Sequence, residues 1–355
     1  MRLIHDSSAE GDDLGRPWNR PLAGTLDRLV VESDLLAGNP LGDPARRPLY
    51  VLRPPGVELD HPRPLPCIYV IQGYTGQIDM WTGRKAFEPT FIERMDAMLA
   101  TEDCPDAIVV MADCWTSYGG SQFLDSTGTG RYQSYLCDEI VPFVDGRYPT
   151  AADRDHRGIT GKSSGGYGAM VVPMMRPEIF SALATHAGDA LFEVSMMPSI
   201  ANTVRTLRDH YESSYEVFFE RLPEEDPFDY DRHSPIEIYG YAACYSPDPE
   251  RPGKALLPFD LSSGRLIDDV WQQWLEHDPV VMAPGHADAL RSMRRIYIDA
   301  GKGDEYFLDL GARAFADELD KLGVPHTIEL FDGKHGGLTY RYPGAIRELA
   351  LALSE

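Results

Sequence analysis

A five-residue pattern, Gly161-Lys162-Ser163-Ser164-Gly165, restricts this chain more than any other feature. It fits G-x-S-x-G, in which a serine sits on a sharp strand-to-helix turn. The flanks agree with that reading. Residues 157–160 form a short run of strand length, and 166–172 are small and apolar enough for a buried helix that ends or kinks at Pro173. Such a turn lifts the serine hydroxyl above the sheet and strains the serine backbone. Side chains two residues to either side would clash, so both positions are glycine. The helix N-terminus then points free N–H groups at negative charge forming beside the serine. A phosphate loop, G-x-x-x-x-G-K-[ST], shares Gly161-Lys162-Ser163 but needs a glycine at position 156, which is His156. Gly158 comes two residues too late to replace it.

The bulk composition narrows the surroundings. The chain has 355 residues, 43% hydrophobic and 10% aromatic, enough for a substantial core. Its net charge of −23 argues against nucleic acid and anionic membrane surfaces as partners. The first twenty residues are mostly polar, with no signal-peptide core, and no apolar run approaches the ~18–20 residues of a membrane span. Five cysteines without a C-x-x-C pair read as reduced, mostly buried thiols of a cytoplasmic protein. No His/Cys cluster has zinc-ligand spacing, so neither a metal nor a cofactor is expected.

Apolar runs predict strands over 26–32, 49–53, 67–72, 107–112, 157–160, 182–186, 295–300 and 326–330. Helical patterns predict helices over 87–100, 132–144, 164–172, 308–322 and 345–354. From Cys67 onward strand and helix alternate, which predicts an α/β fold with a mostly parallel sheet flanked by helices. The first two strands have no helix between them and are expected to form an antiparallel edge. Roughly a hundred residues separate the strands at 182–186 and 295–300, far more than a βα repeat needs. We read 1–355 as one domain and 191–290 as a cap inserted over the sheet's C-terminal edge. Helical pieces are expected in the cap at 204–222 and 266–275, with Pro-rich loops at 222–227 and 246–253.

A serine hydroxyl barely ionises near neutral pH and needs a base, with a carboxylate to orient it. In the order Ser…Asp…His the acid follows a late strand and the histidine follows the last one. Ile298-Asp299-Ala300-Gly301 runs off a strand into Lys302-Gly303-Asp304-Glu305, and Leu330-Phe331 runs into Asp332-Gly333-Lys334-His335. Asp304 and His335 are therefore the expected acid and base. Asp299 falls inside its strand and is expected to make a structural bond. Glu305 is the neighbouring rival, and only one of the two should face His335 on a tight turn. His326 is at the wrong end of the sheet, and His186 reads as a satisfied histidine near the core. An oxyanion hole needs two N–H groups. Ser164 supplies one, and Tyr74, after Gly73 at the end of an early strand, the other.

These residues resemble the esterase D-type esterases of the α/β-hydrolase superfamily, a group with S-formylglutathione hydrolases, feruloyl and enterochelin esterases and mycolyltransferases. The resemblance rests on Tyr118-Gly119-Gly120-Ser121-Gln122-Phe123, Cys137 to Asp145, the elbow through Ala169, His186-Ala187-Gly188-Asp189, and Ile298 to Asp304. It spans about 67–190 and 293–350. It implies Ser163 as nucleophile, Asp304 as acid, His335 as base, and the Tyr74 and Ser164 N–H groups as oxyanion donors. Two positions depart from the group: Lys162, where a His or small residue is frequent, and Gln72, where His or Ser is. The 191–290 segment has no counterpart, so substrate choice is not inherited.

The reading is a serine carboxylesterase acting on a small-molecule ester, with self-association left open. The same triad could pass its acyl group to an alcohol, and a non-catalytic binding protein of the same fold is the alternative from a different class. A peptidase fits less well. Within 191–290, Tyr211, Tyr215, Phe218, Phe219, Tyr239, Tyr241, Tyr245, Trp271 and Trp274 are expected either to pack the cap onto the sheet or in part to line the pocket.

Overall fold

The computed structural model describes residues 1–6, 20–224 and 233–355. Most of the polar N-terminal stretch and the end of the expected loop at 222–227 lie outside the described residues. The strands are β1 (Arg2–Asp6), β2 (Thr25–Glu32), β3 (Arg46–Arg53), β4 (Cys67–Ile71), β5 (Ile108–Ala112), β6 (Asp125–Ser126), β7 (Gly130–Arg131), β8 (Arg157–Lys162), β9 (Ala182–His186), β10 (Arg295–Gly301) and β11 (Thr327–Phe331). Among the described residues β6 and β7 pair as a small ribbon, and the other nine form one sheet in the order β1-β2-β3-β5-β4-β8-β9-β10-β11. The edge β1-β2-β3 is antiparallel and β3 pairs antiparallel with β5. Every pair from β5 to β11 is parallel.

The central strands carry five consecutive buried residues because helices cover both faces. Alternation sorts the side chains. Tyr69 and Ile71 of β4 and Val110 of β5 pack with Leu136, Val171 and Phe315 from the helical stretch 132–147 and the helices Ser164–Met175 and Leu308–Lys321. Ile68, Val70 and Val109 point the other way, onto Phe91, Met95, Ile346 and Leu349 of the helices Phe91–Leu99 and Tyr342–Leu353. The chain reverses its direction of travel across the sheet between β5 and β8, on either side of β4. That leaves a crevice above the C-terminal ends of β4 and β8, the usual ligand position in such sheets.

Several expectations are corrected. The first major helix begins at Phe91 and not at Phe87, because Thr90 and Glu93 form a reciprocal capping box that sets its start. The helix after the elbow continues through Pro173 to Met175. The stretch expected as one helix over 204–222 is two, Met197–His210 and Tyr215–Arg221, parted where Glu212 and Ser213 take φ of 57° and 55°. The helix Ser234–Tyr245 was not expected. Its many buried residues, from Ile238 to Tyr245, erase the amphipathic stripe that marks a surface helix.

The segment 191–290 is welded to the domain. Phe192, Ile200, Ile238, Trp271, Trp274 and Leu290 belong to the same apolar cluster as Tyr69 and Ile159 of the sheet. Trp274 is fully buried and its Nε1 donates to Ser246 Oγ at 2.9 Å. Tyr211, Tyr215, Phe218 and Tyr239 form a separate aromatic cluster. Among the described residues no helix is long and apolar enough to cross a membrane. All five cysteines are buried and unpaired. Trp274→Ala is expected to lower the unfolding free energy by about 3–5 kcal/mol. A urea melt showing less than about 1 kcal/mol would mean that the segment stands apart from the core.

Candidate active site

Ser163 follows the last residue of β8 and precedes the helix Ser164–Met175, with φ 58° and ψ −127°. This is strained backbone for a residue with a side chain. It is held from both sides. The Ser163 N–H is shared by the carbonyls of His186 (3.0 Å) and Ala187 (3.1 Å), and the Ser163 carbonyl accepts the Tyr167 N–H at 2.8 Å. The glycines on either side are required by proximity. A Cβ on Gly161 would stand 2.5 Å from Gly165 backbone atoms, and one on Gly165 would stand 2.5 Å from the Ile71 carbonyl oxygen. The helix start is thus pressed against the end of β4.

The structure brings Ser163, His335 and Asp304 together. His335 Nε2 lies 3.1 Å from Ser163 Oγ, and His335 Nδ1 lies 2.8 Å from Asp304 Oδ2. Asp304 is buried, and its Oδ1 accepts the Tyr306 N–H at 2.9 Å, so both carboxylate oxygens are engaged. The loops carrying the acid and the histidine are stitched by backbone bonds, Lys302 N–H to Phe331 O and Gly303 N–H to Gly333 O. Gly301 permits this, since a Cβ there would stand 2.6 Å from Gly333.

The neighbouring candidates separate by position. Glu305 is exposed and accepts the His335 backbone N–H at 3.0 Å, with Lys334 at 3.2 Å. That backbone bond, with Lys334, draws its carboxyl down to about 2. It anchors the loop while Asp304 takes the ring. Asp299 bonds His186 Nδ1 at 2.7 Å and Arg341 Nε at 2.9 Å, behind the elbow. His186 is only half satisfied, because its Nε2 has no partner among the described residues. His326 bonds the Val324 carbonyl, away from this cluster.

Tyr74 stands beside the serine. A Cβ on the preceding Gly73 would lie 3.0 Å from the Lys162 carbonyl oxygen and 3.5 Å from Ser163 Cβ. Among the described residues no backbone acceptor takes the Tyr74 N–H. Ser164 occupies the first helical position, where the N–H has no intrahelical partner. The loop after β4 is fixed by Gln72, whose buried amide donates to the Ala112 carbonyl at 2.9 Å and accepts from Cys114 and Trp115 N–H groups. The Tyr74 hydroxyl donates to the Tyr118 carbonyl at 2.9 Å.

A cavity of about 680 Å³ opens beside Ser163 and His335. The sheet's loops contribute Tyr74, Lys162 and Asp189, and the 191–290 segment contributes Ser199, Asn202, Glu237 and Tyr241. Of the nine aromatic residues singled out in that segment, Tyr241 alone lines it; Trp271 and Trp274 are core. Burial pushes the Asp189 carboxyl up to about 6 and that of Glu237 up to about 7. Burial lowers the Lys162 ammonium, against the pull of Asp304, Asp189 and Glu305. The sequence reading missed Asp189 and Glu237 as cavity residues. Asp189 lay within the quoted His186-Ala187-Gly188-Asp189 run, whereas Glu237 sits on the unexpected helix and left no signal.

A family model described as "Putative esterase" matches residues 44–341. No curated protein matches the chain in sequence. Among solved structures, a ferulic acid esterase superimposes with a TM-score of 0.58 at 18% identity, covering 93% of this chain and 98% of its own. An S-formylglutathione hydrolase from Agrobacterium tumefaciens has a TM-score of 0.57 at 15% identity, covering 99% and 100%. A fluorophosphonate-binding serine hydrolase of Staphylococcus aureus has 0.57 at 15%, covering 94% and 99%. The chain therefore belongs to this esterase family, as an α/β-hydrolase-fold enzyme that acts on ester bonds.

Proposed function

We propose that the protein is a serine carboxylesterase that works through an acyl-enzyme on Ser163. The observation that carries this reading is the unbroken chain from Ser163 Oγ through the His335 ring to Asp304. Ser163 Oγ attacks the ester carbonyl carbon while His335 Nε2 takes its proton. Asp304 Oδ2 keeps the Nδ1 proton on its own side of the ring and stabilises the imidazolium. The Tyr74 and Ser164 N–H groups receive the negative oxygen of the tetrahedral intermediate. Collapse expels the alcohol, which leaves with the His335 proton. Water, deprotonated by His335, then attacks the acyl-Ser163 ester, and a second collapse releases the acid and restores the serine.

Hydrolysis is favoured over transfer to another alcohol because Ser163 and His335 are both partly exposed to the cavity, open to water. The 191–290 segment acts as a cap that supplies one wall of that cavity. The protein's five unpaired buried cysteines suit the reducing cytoplasm.

Ser163→Ala is expected to lower kcat by about 10³-fold or more with circular dichroism unchanged, and to abolish labelling by a fluorophosphonate probe. Near-normal turnover in that variant, with loss in Ser164→Ala, would shift the elbow by one residue.

Asp304→Asn is expected to cost about 10⁴-fold in kcat, since an amide favours the wrong imidazole tautomer. Glu305→Gln keeps an acceptor for the His335 N–H and loses only an exposed ion pair, so less than about tenfold is expected. The reverse ranking at equal stability would make Glu305 the acid.

A further inference from the structure

We propose that the cavity beside Ser163 selects esters that carry an ammonium group, held by Asp189 and Glu237 against an aromatic wall. This rests on the esterase reading and names the substrate class it would serve.

The two carboxylates share one cavity, and Asp189 is hydrogen-bonded to the residue after the nucleophile. Ser164 Oγ donates to Asp189 Oδ2 at 3.2 Å and lies 3.4 Å from the Tyr241 hydroxyl. Tyr241 and Ser199 also lower the Glu237 carboxyl against its burial, and all three line the cavity. Gln122 Nε2 reaches Asp189 from below at 3.4 Å. Both acids line the cavity, and among the described residues neither forms an ion pair with an arginine or lysine. Asp189 is only 4% exposed. A buried carboxylate without a cation is costly, and two on one cavity repel each other. Both effects hold the pair partly protonated: burial first for each, then the Asp189 charge acting on Glu237. A cation in the cavity would relieve both at once.

Two independent features select for the same charge. Tyr74, Tyr241, Tyr306, Tyr342 and Trp81 also line the cavity, and aromatic faces attract ammonium groups, most strongly when water is excluded. The chain's net charge of −23 also raises the local concentration of cations. Lys162 is the one lysine or arginine on the cavity among the described residues, and its ammonium feels Asp304, Asp189 and Glu305 rather than Glu237. Among the described residues the Glu237 side therefore has no lysine or arginine, although His233 also lines the cavity there. An anionic ester would have to approach two carboxylates to reach Lys162.

The test compares isosteres that differ only in N⁺ against C. Acetylcholine is set against 3,3-dimethylbutyl acetate, and the 4-nitrophenyl ester of 4-(trimethylammonio)butanoate against that of 5,5-dimethylhexanoate. The pairs place the charge on the alcohol or on the acyl side. In at least one pair the cationic ester is expected to have a kcat/KM about tenfold or more above its isostere. That ratio should rise from pH 5 to pH 8 as Asp189 and Glu237 ionise. His233, His335 and Lys162 also face the cavity, and burial holds the phenols of Tyr74 and Tyr241 neutral. The assignment is therefore made by variants: Glu237→Gln and Asp189→Asn should each shrink the ratio and flatten its pH dependence, the ratio cancelling any change in the chemical step. Equal rates within both pairs, or a preference for 4-nitrophenyl hemiglutarate that Lys162→Met removes, would overturn the inference and leave the esterase reading intact. Protection of Ser163 from a fluorophosphonate by choline, but not by 3,3-dimethylbutanol, gives the same answer if none of these esters is turned over. Absence of labelling at Ser163 would instead sink the esterase reading itself.

Discussion

Everything at the site is measured from the contact between the elbow and the end of β4. Gly161 and Gly165 press against the Ile71 carbonyl, and a Cβ on Gly165 would also meet the Gln72 carbonyl oxygen at 2.8 Å. Because these obstacles are backbone, nothing can rotate aside to admit a methyl group. The contact brings two strand ends and one helix start within a residue's width of one another. Ser163 and Tyr74 are neighbours for that reason alone. Gly166 and Gly168 extend the same close fit onto Gly188 and the Phe123 ring. The helix thus enters the core end-on, with its free N–H groups facing the serine.

Around that contact the loops divide their work. The acid loop gives its one buried carboxylate, Asp304, to the histidine ring, and its exposed one, Glu305, to the histidine backbone. A one-carbon difference in reach and a one-residue difference in position separate orienting a ring from fixing a loop. Behind the elbow a second histidine–carboxylate pair, His186 and Asp299, is closed off by Arg341 and sealed under the Tyr342 ring. It resembles the Asp304–His335 pair in chemistry, yet it lies away from the cavity. His186 instead lends its carbonyl to the strained Ser163 N–H.

Those parts of the fold whose cause is local could be read from the chain. The buried strand at 67–71 came from an unbroken apolar run and that at 182–186 from a run apolar through Ala184, while Asp304 and His335 came from strand ends followed by glycine-rich turns. What failed had causes that periodicity does not carry. Pro173 does not end its helix, because with only two residues left the ring disturbs a single turn. Strand β1 is short, lies at the sheet's edge and pairs only with β2, so no periodicity betrays it. Helix Ser234–Tyr245 is apolar almost all round, and Glu237 is the exception that faces the cavity. The aromatic residues of 191–290 are legible as apolar but not as to destination: Trp274 goes into the core, Phe218 into its own cluster and Tyr241 into the cavity.

The fusion of 191–290 with the central core has a kinetic consequence. A lid that opens does so about a hinge, exchanging a small wetted interface for solvent. Here the wall that holds Glu237 and Tyr241 is continuous with side chains that contact the sheet, so swinging it away would uncover Trp274 and Ile238. Motion of that kind is partial unfolding, slow and rare. Among the described residues, entry of the ester and exit of the acid therefore do not depend on swinging this wall aside.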